Sequence, residues 1–204
     1  MNIKTQNTSA PKQKKRTPRP PKKITPTYLH NAGLYYLQRF AASSAHFREV
    51  MMRKVKKSCH YHKDQNYEDC AQMVDALVEQ FASSGLLDDS AYTRGVVTSL
   101  RRSGKSRRAI IAKLKQKGLS DDMIERTLTA YDDDSAGSSA DAELTAALNF
   151  ARKKRLGPFT RDKETPPEKA LASMARAGFS YDVCKTVLEM EPKAAQARLT
   201  HRYF

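Results

Sequence analysis

A chain whose apolar and Gly-Ser pattern recurs at a fixed offset can fold only as a series of like units. From Ser106 to Leu128 the sequence reads SRRAIIAKLKQKGLSDDMIERTL; sixty positions on, from Pro167 to Leu188, it reads PEKALASMARAGFSYDVCKTVL. The shift pairs Leu171 with Ile111, Met174 with Leu114, Gly178 with Gly118, Ser180 with Ser120, Asp182 with Asp122, Cys184 with Ile124 and Leu188 with Leu128. In the other direction REVMMRKV (Arg48 to Val55) overlays RRAIIAKL (Arg107 to Leu114) residue for residue. Three copies of one unit follow. Repeats of this period are stacked units that lean on their neighbours. Each copy is expected to be too small to bury its own apolar face, so that neighbours share a continuous core.

The unit is helical. Between Tyr28 and Met190 apolar residues fall at helical spacing, and alternation over strand lengths is hard to find. Leu29, Gly33, Tyr36, Leu37 and Phe40 line one face of a first helix; Val50, Met51, Met52 and Val55 mark a second; Cys70, Met73, Val74, Leu77 and Phe81 mark a third. In the quoted stretch Ser106 caps a helix buried through Ile110, Ile111 and Leu114, and Gly118 ends it in the left-handed conformation that glycine adopts without steric cost. Ser120 caps the next helix, Asp121 and Asp122 sit where its dipole favours negative charge, and Ile124 and Leu128 face the core. The expected fold is all-α: three tandem three-helix repeats at 27–84, 86–131 and 138–190, forming an elongated, curved modular body, with a C-terminal extension over 191–204. The polar stretches SCHYHKDQNYED and YDDDSAGSSAD read as separators.

Charge says what such a body meets. The net charge of +15 argues for a polyanionic partner. Up to Thr25 the chain carries Lys14, Lys15, Arg16 and other cations without an acid, among prolines and few apolar residues, so 1–26 reads as a disordered basic tail. A second acid-free block holds Arg94, Arg101, Arg102, Lys105, Arg107, Arg108, Lys113, Lys115 and Lys117; the sign then reverses through Asp121, Asp122, Glu125, Asp132, Asp133, Asp134, Asp141 and Glu143. The nine cations of the block are the candidate nucleic-acid or filament contacts, with Arg108, Lys113 and Lys115 diverging from the Ile110, Ile111 and Leu114 face. Lys14, Lys15, Arg16, Arg152, Lys153, Lys154 and Arg155 are auxiliary candidates. A chain 39% hydrophobic, without an apolar run of the roughly 20 residues that span a bilayer, is expected to be soluble, off the membrane and cytoplasmic. Three cysteines, Cys59, Cys70 and Cys184, without framework spacing fit a reducing compartment.

Catalysis finds little support. Gly104, Lys105 and Ser106 echo the end of a phosphate-binding loop, but the required upstream glycine position is Ser99 and the turn lies between helices. Cys59, His60, His62 and Cys70 carry metal-ligating side chains at a spacing that matches no standard zinc pattern, and Cys70 belongs to an apolar helix stripe. Asp88 and Asp89 fit helix capping better than acid–base work. No catalytic residue, metal or cofactor is expected.

The second unit, GLLDDSAYTRGVVTSLRRSGKSRRAIIAKLKQKGLSDDMIERTL (Gly85 to Leu128), resembles the central repeat of the RecX family, bacterial regulators of the RecA recombinase. The marks are Gly-Leu-Leu-Asp-Asp at 85–89, Tyr92, the turn around Arg102 to Lys105, and Lys-Gly at 117–118. YLQRFAASSAHFREVMMRKV (Tyr36 to Val55) is similar to the first repeat in its alphaproteobacterial form, and ALNFARKKRLGPF with KALASMARAGFSYDVCKTVL resembles the third. Tyr92 stands where phenylalanine is common, and PFTRDKETPP lengthens the third unit. The chain is expected to be a monomer, and the resemblance implies that it binds in the groove of the RecA–DNA filament, meeting single- or double-stranded DNA directly or through the filament. There it would suppress ATP hydrolysis, strand exchange and co-protease activity, and so modulate recombination, repair and the SOS response. The other reading left by the residues is a general DNA-binding helical repeat protein independent of RecA.

Overall fold

The computed structural model describes residues 20–160 and 166–200. Its elements are α1 (Pro26–Leu37), α2 (Ser44–Tyr61), α3 (Tyr67–Ser83), α4 (Asp89–Arg102), α5 (Arg107–Lys115), α6 (Asp121–Ala136), α7 (Ser139–Lys154), a short 3-10 turn (Gly157–Phe159), α8 (Pro167–Arg176), α9 (Tyr181–Leu188) and α10 (Pro192–Thr200). No strand occurs among the described residues. Local chemistry starts nearly every helix: the side chains of Thr25, Ser43, Asn66, Asp88, Ser106, Ser120, Ser138 and Ser180 each accept a backbone N–H of the helix they precede. Proline opens α1 and α8, where its missing N–H costs nothing.

The helices gather in threes around separate cores. Leu29, Phe47, Met51, Val55, Val74 and Phe81 fill the first, where Gly33 lets α1 lie against the Phe47 and Phe81 rings: a Cβ there would sit 2.9 Å from both. Val97, Ile110, Leu114, Ile124 and Leu128 fill the second. Ala147, Leu148, Met174, Cys184 and Val187 fill the third, completed by Ala195 and Leu199 of α10. The three clusters of buried residues do not merge, which corrects the expectation of a continuous shared core. Each unit closes a hydrophobic cluster of its own, and polar contacts bridge one unit to the next.

Those contacts repeat as faithfully as the sequence does. Ser43, the cap of α2, donates its hydroxyl to the Lys117 carbonyl at the end of α5, and Ser106, the cap of α5, donates to the Ala177 carbonyl at the end of α8 at 2.7 Å. The first backbone N–H of α2, at Ser44, donates to Asp89 of α4 at 2.7 Å; that of α5, at Arg107, donates to Glu143 of α7 at 2.9 Å. The second helices of successive units thus meet end to end, the negative terminus of one dipole on the positive terminus of the next. Gly118 and Gly178, with φ of +73° and +91°, turn the chain away at each joint; a Cβ would stand 2.3 Å from that of Ala45 at the first and 2.7 Å from the Ser106 hydroxyl at the second.

Other expectations need correction. SCHYHKDQNYED is no separator, since α2 continues through Tyr61 and the turn to α3 lies inside the first unit. YDDDSAGSSAD is largely helical, broken only at Gly137 and Ser138. Residues 20–25 are held in place and do not belong to a disordered tail. Ile24 is buried, its N–H and carbonyl both meet the Gln65 amide, the Lys22 carbonyl accepts from Ser58, and the Pro21 carbonyl lies 2.8 Å from His62 Nε2. The tail upstream, with Lys14, Lys15 and Arg16, lies outside the described residues. Phe40, placed in the stripe of α1, falls past its end and is 52% exposed.

Candidate functional site

The cationic block divides by helix face. On α4 the buried stripe is Thr93, Val97 and Arg101, so Arg101 continues an apolar row into the interior. On α6 the buried stripe is Ile124, Leu128 and Asp132. The two rows deliver opposite charges to the same place: Arg101 Nε and Nη2 donate to the Asp132 carboxylate at 2.9 and 2.6 Å, with side chains 3% and 0% exposed. Arg101 Nη1 donates to Glu143 at 2.6 Å. Burial works against the Arg101 charge, yet hydrogen bonds and attraction from Asp132 and Glu143 outweigh it and raise its pKa further. Arg107 adds bonds to Asp132, Glu125, Thr129 and Ser139. Two of the nine candidate contacts are therefore internal fasteners, a correction to their placement on the cationic surface. Periodicity carried the signal: an arginine four residues past Val97 and an aspartate four past Leu128 extend stripes that must meet.

The remaining seven differ in how free they are. Lys115 pairs with Asp121 at 2.9 Å, Lys117 Nζ lies 3.2 Å from His46 Nε2 at the first joint, and Arg94 donates to the Ser90 hydroxyl at 2.6 Å. Arg102, Lys105, Arg108 and Lys113 are exposed and have no hydrogen-bond or ion-pair partner among the described residues. They run from the end of α4 across the turn and along α5. The auxiliary candidates of the third unit join them at one end. A cleft of ≈550 Å³ between α4, α6, α7 and α10 is lined by Arg102, Arg152, Lys153 and Asn149, with Arg101 also lining it, and Lys153 Nζ donates to the Ser103 carbonyl at 2.6 Å. Lys154 and Arg155 are exposed beyond it, Arg155 closing α7 in the left-handed conformation.

The other motifs resolve into packing. Gly104 is a left-handed turn residue between α4 and α5. Cys70 is buried in the first core and its thiol is pushed up to about 11, chiefly by burial and then by the neighbouring Cys59. Among the described residues no group of three His, Cys, Asp or Glu side chains is placed to share a metal ion. Asp88 caps α4, accepting from the Ala91 N–H at 2.8 Å, while Asp89 reaches across to α2. No helix among the described residues is long and apolar enough to cross a membrane.

The comparisons with known proteins meet this geometry at its centre. A family model described as the second three-helix domain of RecX matches residues 88–128, which are α4, α5 and the first half of α6. A protein of Myxococcus xanthus named regulatory protein RecX is 39% identical over 184 residues, spanning 89% of this chain and 95% of that one. The chain belongs to the RecX family. A RecX protein of Agrobacterium fabrum is 30% identical over 177 residues, spanning 83% of this chain and 86% of its own length. Two solved RecX structures share the fold: a crystal structure of regulatory protein RecX with a TM-score of 0.56 at 20% identity, covering 81% of this chain and 72% of that one, and RecX from Lactobacillus salivarius with a TM-score of 0.54 at 21% identity, covering 80% and 94%. The relatives' names make this a family of regulatory proteins. In RecX terms, the family model falls on the unit that carries both the buried fasteners and the four free cations.

Proposed function

We propose that this chain is a non-catalytic regulator that lies along the RecA–DNA filament as a cytoplasmic monomer and lowers the filament's ATP hydrolysis, strand exchange and co-protease activity. Recombination, DNA repair and the SOS response are modulated in consequence. The observation that carries the reading is a tandem body, alike over nearly the full length of a regulatory relative, with four exposed cations along its central unit that have no partner among the described residues. A filament offers identical sites at regular intervals. A chain of linked units can engage neighbouring sites through modest contacts whose joint affinity exceeds that of any one, without a reaction centre. Phosphates or an acidic subunit surface would satisfy the free cations.

The test is a titration of RecA on single-stranded DNA with ATP. Hydrolysis should fall at or below stoichiometric amounts of this protein, and reversing charge at Arg102, Lys105, Arg108 and Lys113 together should weaken the effect. An unchanged rate with no co-sedimentation of the chain with the filament removes the reading. The same four cations favour a second reading, DNA binding independent of RecA; it gains if bare DNA is bound as tightly as the coated strand, with a log–log salt slope of about −0.7 to −0.9 per phosphate contact.

A further inference from the structure

The first unit carries a cationic surface that the central block does not explain. No Asp or Glu precedes Glu49 in the sequence, and the segment pinned to the α2–α3 turn through Pro21, Lys22 and Ile24 brings this acid-free stretch against α1 and α2. A groove of ≈540 Å³ opens there, lined by Lys22 and Lys54 together with the rings of Tyr28 and Tyr35. Lys23 also lines it, with its charge spent on Asp64. Lys22 is exposed, Lys54 is half-buried, and neither has a side-chain partner among the described residues.

The groove leads onto an aromatic ladder. Tyr35 is 62% exposed and Phe40 52%, the guanidinium of Arg39 lies 5.5 Å from the Tyr35 ring centre and 5.7 Å from that of Phe40, and Arg39 Nη1 donates to the Tyr35 hydroxyl at 2.9 Å. Exposed rings held rigid by a cation between them lose contact with water at little entropic cost when a flat group covers them. Lysines along a groove with ring faces at its end are what an unpaired polynucleotide requires: phosphates follow the cations and splayed bases stack on the rings. A duplex offers no free base faces, and an acidic peptide would leave the ladder unused.

We infer that Lys22, Lys54, Tyr28, Tyr35, Arg39 and Phe40 form a binding site for single-stranded nucleic acid on the first unit, separate from the cations of α4 and α5. The site needs no RecA, so it stands or falls apart from the filament reading.

The chain contains no tryptophan, so Tyr35→Trp installs a single reporter on the ladder. Titrating the full-length Tyr35→Trp protein, without RecA, with an oligothymidylate of about 12 nucleotides should quench its fluorescence saturably through base stacking. A duplex of equal length should quench it weakly. By anisotropy of the labelled oligothymidylate, Tyr35→Ala and Phe40→Ala should each weaken binding on the order of tenfold with unchanged circular dichroism, since stacking is lost base by base. Lys22→Glu with Lys54→Glu should flatten the salt dependence by about 0.7 in log–log slope per phosphate contact removed. The assignment is overturned if the tryptophan is not quenched, if duplex binds as well as single strand, or if the two ring variants bind like the parent. The last outcome would place the contact elsewhere on this basic chain.

Discussion

Replacing Asp132 by alanine should destabilise the protein far more than any surface change, because it strands a charge in the interior. The Asp132 side chain is fully buried and accepts three charge-assisted bonds, from Arg101 Nε and Nη2 and from Arg107 Nη1. Removing one partner of a buried ion pair costs about 3–5 kcal/mol. Arg101 would keep Glu143 and a long bond to the Lys105 carbonyl, which puts the expected loss near the lower end, about 3 kcal/mol. For a pair such as Asp122–Arg126, with side chains 71% and 73% exposed, solvent screening holds the loss to about 0.5 kcal/mol, so Asp122→Ala is the control. Urea unfolding followed by circular dichroism should show the Asp132→Ala midpoint falling by about 1–2 M at unchanged m-value. Hydrogen exchange should rise first in α4, α6 and α7, since the first unit has a core of its own. The double variant Arg101→Met with Asp132→Leu should recover most of the loss, because it removes both charges and refills the space. If Asp132→Ala unfolds within about 0.5 kcal/mol of the parent, the network is not the fastener described here.

Three further outcomes follow from the geometry. Gly118→Ala and Gly178→Ala should each cost more than the roughly 1–2 kcal/mol of left-handed strain alone, since the new Cβ meets Ala45 or Ser106. Gly85→Ala and Gly137→Ala, left-handed but with nothing within 4 Å, should cost only that strain, and thermal melts of the four variants will separate the pairs. Alkylation in native buffer should modify half-exposed Cys59 ahead of buried Cys70 and Cys184, as read by peptide mass spectrometry. With its thiol raised from 9.0 to about 11, Cys70 keeps its proton in the native state where the unfolded chain has lost it. Its contribution is therefore intact below pH 9 and declines as pH climbs toward 11, which urea midpoints across that range and their absence in Cys70→Ala would show.

Much of the fold was legible because it is written locally. Ser106, Ser120 and Ser180 cap the helices their positions implied, Gly118 and Gly178 take the left-handed turn, and Met51, Val55, Ile110, Leu114, Ile124, Met174 and Cys184 are buried as the repeat required. Where the local pattern misled, a distant partner was the cause. Residues 20–25 look like tail until Gln65, Ser58 and His62 are brought to them across the first unit. Leu188, matched to Leu128, is only partly buried, and Val187 beside it takes the core position.

The candidate site shows the same division more sharply. Sequence alone determined that the chain is a threefold helical repeat with a basic block in its central unit, since caps, glycine turns and apolar spacing act within a few residues and survive any arrangement of the whole. Tertiary structure alone decided which of those like charges are spent: Arg101 and Arg107 are neutralised by Asp132 and Glu143, 25 to 42 positions away, while Arg102, Lys105, Arg108 and Lys113 meet no partner among the described residues. A charge can be read from the chain, but its availability depends on what the fold carries to within about 4 Å of it, and Coulomb attraction in a dry interior is set by that distance and by burial.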